Sequence, residues 1–130
     1  MDLLTDALRA ALRANAEAAR DPGHDPVPVV KFFNPCGAAT WLATELDADG
    51  DTLFGLADLG FGCPELGSFS LSEIASVRLP FGLAIERDLH FSGDFPLSRW
   101  AEAARRAGSI MGAETLLHRA ATRGTEASGS

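Results

Sequence analysis

An α+β domain is predicted, with one antiparallel sheet of about four strands, an N-terminal helix, a short middle helix and a C-terminal helix. Three observations predict it. Apolar residues recur at three- and four-residue spacing towards both ends of the chain, short β-branched and aromatic runs fill its middle, and an Asp-Gly turn joins two of those runs. A chain of 130 residues with 46% hydrophobic against 22% charged side chains has enough apolar surface for one core, so a single domain over residues 1–123 is expected.

The N-terminal helix is expected over Asp2 to Arg20, where Leu4, Leu8 and Leu12 fall on one face with Ala7 and Ala11. Residues 21–28 contain Pro22, Pro26 and Pro28, which lack amide donors and fix φ, so this segment reads as a linker. The sheet core is expected over residues 29–95. It begins with the run Val29 to Phe33, closed by the turn signal Asn34-Pro35-Cys36-Gly37. Runs Thr40 to Asp47 and Thr52 to Leu59 flank Ala48-Asp49-Gly50-Asp51, and Asp-Gly there predicts a hairpin because its turn requires positive φ. Gly60 to Gly67 reads as a glycine-rich loop. Ser70-Leu71-Ser72-Glu73 fits a capping box, which predicts a short helix over Leu71 to Val77. Leu83 to Phe91 alternates as a strand, with Leu83, Ile85, Arg87, Leu89 and Phe91 on one face and Ala84, Glu86, Asp88 and His90 on the other. A helix follows over residues 96–107 with Asp94 as its cap and Gly108 as its stop, then a weaker helical stretch over Ala113 to Thr122. Residues 124–130 read as an unstructured tail.

Charge is distributed unevenly. Between Gly37 and Val77 there are seven acids, Glu45, Asp47, Asp49, Asp51, Asp58, Glu65 and Glu73, and no Lys or Arg, so this stretch accounts for the whole net charge of −7. Such a surface repels nucleic acid and anionic membranes, and it fits a protein partner with a basic surface. Cys36 and Cys63 form no Cys-x-x-Cys pair and are expected as reduced, half-buried thiols. Acids at the N-terminus and the lack of a long apolar run suggest a cytoplasmic protein with no membrane span.

The individual motifs argue against several chemistries. Asp47-Ala48-Asp49-Gly50-Asp51 has the alternating acids of a calcium loop, but Thr52 stands where that loop needs glycine and the flanks read as strands, so no metal is expected. The glycine loop lacks the lysine of a phosphate cradle, and no cofactor is expected. Glu86, Asp88 and His90 on one strand face are the candidates for acid-base chemistry, without an accompanying nucleophile motif. Arg87 lies on the apolar face between Ile85 and Leu89, where an unpaired guanidinium is costly, so it is expected to pair with Asp58 or Glu65.

The segments Pro35 to Leu42, Asp58 to Gly67 and Glu86 to Phe91 resemble the bacterial domain-of-unknown-function family 2958, across about Pro28 to Ala107. Cys36 departs from the polar or acidic residue usual at that turn. The resemblance implies a small protein of a mobile genetic element (a plasmid, phage or integrated element), and it carries over no catalytic residue. Together with the charge, it leads to the expectation of a non-enzymatic binding protein. That protein would use Glu45, Asp47, Asp49, Asp51, Asp58 and Glu65 against a host nuclease or CRISPR effector component, in an anti-CRISPR or anti-restriction role. The alternatives are an accessory partner of plasmid transfer or replication machinery, or a small hydrolase using Glu86, Asp88 and His90.

Overall fold

A computed structural model describes residues 2–128. The chain runs through helix α1 (Asp6–Glu17), strands β1 (Val30–Phe33), β2 (Thr40–Leu46), β3 (Thr52–Asp58) and β4 (Glu65–Ser70), helix α2 (Leu71–Ser76) and strand β5 (Glu86–Arg87). Helices α3 (Leu97–Ala107) and α4 (Ile110–Ser128) follow. The architecture is the expected α+β one, with five strands rather than four in the antiparallel order β4-β3-β2-β1-β5.

Side-chain alternation supplies apolar groups to both faces of the sheet. Trp41, Ala43 and Leu53 pack with Leu4, Leu12 and Ile74 on the side of α1 and α2. Leu42 and Leu56 pack with Trp100, Ala104, Ile110 and Leu117 on the side of α3 and α4. Strand β2, covered from both sides, is buried at six of its seven positions. Both tryptophans belong to these cores, and Trp100 donates its indole N–H to the Gly93 carbonyl at 2.8 Å.

Helix α1 is shorter than the predicted span because Thr5 caps it, its hydroxyl accepting the Leu8 N–H at 3.2 Å. Polar residues of α1 also bind the sheet: Arg13 donates to the Leu46 carbonyl at 2.7 Å and Asn15 to that of Thr44 at 2.9 Å. The proline-containing linker then reaches the start of α3. There the Pro26 carbonyl accepts the Leu97 N–H, and the Asp25 carboxylate accepts the Ser98 N–H at 3.0 Å. Asp25 therefore fills the capping role expected of Asp94, which sits at φ 62° and accepts from Ser92. Gly108, in a left-handed conformation, ends α3 as predicted.

Besides α1, three elements differ from the sequence prediction. Glu65 to Ser70 forms edge strand β4, so the loop predicted over Gly60 to Gly67 from its three glycines ends before Glu65. The strand expected over Leu83 to Phe91 contracts to Glu86–Arg87, because the Asp88 carboxylate accepts the His90 N–H at 2.9 Å and turns the chain. Helix α4 continues through Ser128, so the expected tail from residue 124 is helical to that point, and residues 129 and 130 lie outside the described residues. Both cysteines are exposed rather than half-buried.

Candidate functional site

The acidic stretch does not form one continuous surface. Asp47, Asp49 and Asp51 lie on the β2–β3 turn, where Gly50 takes φ 73° as the turn requires. Their carboxylates organise that turn. Asp49 accepts the Asp51 and Thr52 N–H groups, each at 2.8 Å, and the Thr52 hydroxyl at 2.6 Å. Asp51 reaches across to the next elements, accepting the Ser70 hydroxyl at 2.7 Å and the Ser72 N–H at 2.8 Å. Ser70 in turn caps α2 by accepting the Glu73 N–H at 3.2 Å, so the serine half of the expected capping box joins the hairpin network.

These bonds favour the ionised carboxylates. The Thr52 hydroxyl, then the Thr52 and Asp51 amides, lower the Asp49 pKa from 3.8 to about 2. The Ser70 hydroxyl, then the Ser72 amide and hydroxyl, lower that of Asp51. Because the folded value of Asp49 is depressed, its contribution to hairpin stability is complete above its ordinary value of 3.8 and is lost as pH falls through about 2. A carboxyl-carbon NMR titration of the folded protein is expected to give Asp49 a midpoint near 2, and a midpoint near 3.8 would contradict the observed bonds.

Glu45 is set back from the turn, with its carboxylate 3.5 Å from His24 Nε2 and both side chains largely shielded. Asp58 is not a surface residue at all. It is 2% exposed, accepts the Gly60 N–H at 2.9 Å and, with its other oxygen, accepts the Ile110 N–H at 3.0 Å, where α4 begins. It is therefore removed from the expected partner-binding set and acts as an internal cap. Glu65 is exposed at the start of β4, opposite Ala57 and thus at the other end of β3 from the acidic turn. At a rise of about 3.3 Å per residue, the seven-residue β3 separates the turn from the glycine loop by about 20 Å.

Arg87 does not pair with Asp58 or Glu65. Strands β2 and β1 lie between β3 and β5, and the guanidinium instead donates to the carbonyls of Asp2 and Leu3, each at 3.1 Å. The cation is satisfied by backbone oxygens that bring the segment before α1 onto the sheet edge.

The Glu86, Asp88 and His90 row is partly assembled. Asp88 and His90 lie at a cavity of about 810 Å³ between the β1–β5 edge and α4, and Glu86 is not among its lining residues. The cavity brings in groups that the sequence did not single out. Lys31, largely buried, stands 3.2 Å from Glu114 and 3.7 Å from Asp88, and His118 lines the same wall while lying 3.8 Å from Asp94. Strand alternation could have directed Lys31 inward, but its acidic partner Glu114 lies 83 residues away and was not legible. The two hydroxyls that line the cavity are engaged with backbone, Thr40 donating to the Ala38 carbonyl and Thr115 to that of Met111. Among the described residues, no group of three or more His, Cys, Asp or Glu side chains is placed to hold a metal ion, and no helix is long and apolar enough to cross a membrane.

The edge strand β4 connects these features. It runs from Glu65, beside the glycine loop, to Ser70, which is bonded to Asp51 of the acidic turn. In an antiparallel pair, alternate residues of an edge strand turn their N–H and C=O groups away from the partner, and no backbone bond to another element engages residues 65–70 from that side among the described residues. Leu66 of β4 is 47% exposed and Phe54 of β3, on the same face, is 37% exposed. Residues 3–111 match the family described as protein of unknown function (DUF2958). No curated protein and no solved structure matches the chain.

Proposed function

Because the chain belongs to the DUF2958 family of proteins of unknown function, and takes no activity from it, we propose from the geometry that it is a non-enzymatic binding protein. Its partner would add an extended, positively charged segment to the open edge of β4. The observation that carries this reading is the edge itself. Natural sheets protect their edges with lysine, proline, bulges or covering elements, and Glu65-Leu66-Gly67-Ser68-Phe69-Ser70 contains no lysine or proline and pairs without a bulge. Main-chain bonds would supply affinity, and exposed Leu66 and Phe54 would seat an apolar side chain.

Charge fixes the preferred partner. The edge is bounded by Glu65 at one end and by Asp47, Asp49, Asp51 and Glu73 at the other, so basic residues flanking the added strand would meet acids at both ends. An interface of about 800 Å² per partner is about 30 Å across, enough to cover both the acidic turn and the glycine loop. In its narrowest form the proposal is inhibition of a DNA-targeting host defence protein, a nuclease or CRISPR effector component with a basic surface. An accessory role in the transfer or replication machinery of a mobile element uses the same contact.

The test is hydrogen exchange. Mixed at low salt with purified nuclease and CRISPR effector components, the protein is expected to bind one of them with new amide protection in residues 65–70, and to release it as salt rises. Leu66→Lys should abolish that protection. Binding with unchanged exchange in β4, or no binding to any of these components, would reject the proposal. The second reading, a small hydrolase, is favoured by one observation, the convergence of Asp88, His90, Lys31 and Glu114 on the cavity. It ranks second because neither cavity hydroxyl is free to serve as a nucleophile.

A further inference from the structure

Helices α3 and α4 carry five of the chain's eleven cationic side chains, Arg99, Arg105, Arg106, Arg119 and Arg123, on a protein whose net charge is −7. The short connection at Gly108 and Ser109 folds α4 back along α3. A groove of about 510 Å³ runs between the helices on the side away from the sheet, and four of those arginines line it. All four are exposed. Arg99 lies over the Phe95 ring at 5.1 Å, while Arg106, Arg119 and Arg123 have no ion-pair or hydrogen-bond partner among the described residues.

The positions on each helix give the cations a pattern. Arg99 and Arg106 are seven residues apart on α3, about 10 Å along its axis, and Arg119 and Arg123 are four apart on α4, about 6 Å. Between the two rows the floor is apolar, with Leu116 41% exposed. One acid, Glu102, interrupts the α3 row.

A nucleic-acid backbone is poorly matched to such a groove. It carries a phosphate at every step, so Glu102 would repel it, and Leu116 would gain nothing against a solvated polyanion. An amphipathic helix with an apolar stripe flanked by carboxylates matches every feature. Its stripe would cover Leu116, its acids would meet the two arginine rows, and one basic residue would answer Glu102. We propose that the α3–α4 groove is a docking site for an acidic amphipathic helix of a partner protein. The surface is separate from the β4 edge and opposite to it in charge preference.

The test uses the full chain and three fluorescent probes. One is a synthetic helical peptide with leucines on a single stripe and glutamates on both flanks, the second is a scrambled peptide of the same composition, and the third is a short DNA duplex. The patterned peptide is expected to bind at least about tenfold more tightly than the scrambled one, and Arg106→Glu with Arg119→Glu should weaken it by a further tenfold or more. Because both arginines are exposed, circular dichroism should show the double variant folded, and Leu66→Lys should leave peptide binding unchanged. Equal binding of the scrambled peptide, tighter binding of the duplex, or no binding of the patterned peptide would each overturn the proposal.

Discussion

Replacing Gly55 by alanine is expected to prevent the sheet from forming. A Cβ built at this position would lie 1.8 Å from the Leu42 carbonyl oxygen, 2.9 Å from its carbon and 3.0 Å from Ala43 Cα. All three atoms are backbone, so no side-chain rotation relieves the overlap. The cause is the register shift between Ala43 and Glu45, which brings β2 unusually close to β3 where Gly55 faces Ala43. These strands hold Leu42, Leu53 and Leu56, members of both cores, so separating them opens both layers. The loss should exceed about 4 kcal/mol, the range reserved for disruption of a core or backbone. Expression of Gly55→Ala is expected to give insoluble protein or a chain without a cooperative melting transition. A variant melting within a few degrees of the parent would show that the strands are not so closely apposed.

The second large effect is expected at Asp58. Substitution by alanine removes a carboxylate that satisfies two amides, those of Gly60 and Ile110, in a site from which water is excluded. Hydrogen bonds to charged groups contribute about 1.5–3 kcal/mol each, and loss of a helix cap alone costs about 1 kcal/mol. The expected destabilisation is therefore about 3 kcal/mol, read as a lower midpoint in urea with an unchanged slope. Asp58→Asn should recover part of it, because an amide oxygen can accept one of the two N–H groups while its NH₂ cannot accept the other. Equal stability of all three proteins would contradict the buried-cap geometry.

These two residues show how much of the fold was legible. Local signals gave local structure: the Asp-Gly turn, the capping box at Ser70 and Glu73, and the leucine spacing of α1 each led to an observed element. Strand β4 was obscured because its glycine and serines carry a loop signature, and its pairing with β3 supplies what propensity does not. Gly55 sits in an apolar run, and nothing in that run reveals the bulge in the neighbouring strand. Asp58 belongs to the acidic stretch by position, yet strand parity turns it inward with Leu56 towards the start of α4. Linear clustering of charge is not spatial clustering when a strand intervenes, which is why the expected acidic surface divides into a turn, a shielded Glu45, a buried cap and a distant Glu65. Arg87 was expected to need a carboxylate, Asp58 or Glu65, and its guanidinium donates instead to two backbone carbonyls from the start of the chain, a partnership that no side-chain pattern announces.

Asp25 has a consequence for how the chain is made. The carboxylate that completes the start of α3 precedes its partner Ser98 by 73 residues. At 5–20 residues per second, a ribosome needs roughly 4–15 s to deliver that partner after Asp25 has been polymerised. The partners of Leu4, Leu8 and Leu12, among them Trp41, Ala43 and Leu53, are polymerised well before Ser98, so the α1 side of the sheet can be covered first, and a pause in translation before Ser98 would leave Leu42 and Leu56 on the opposite side waiting for α3.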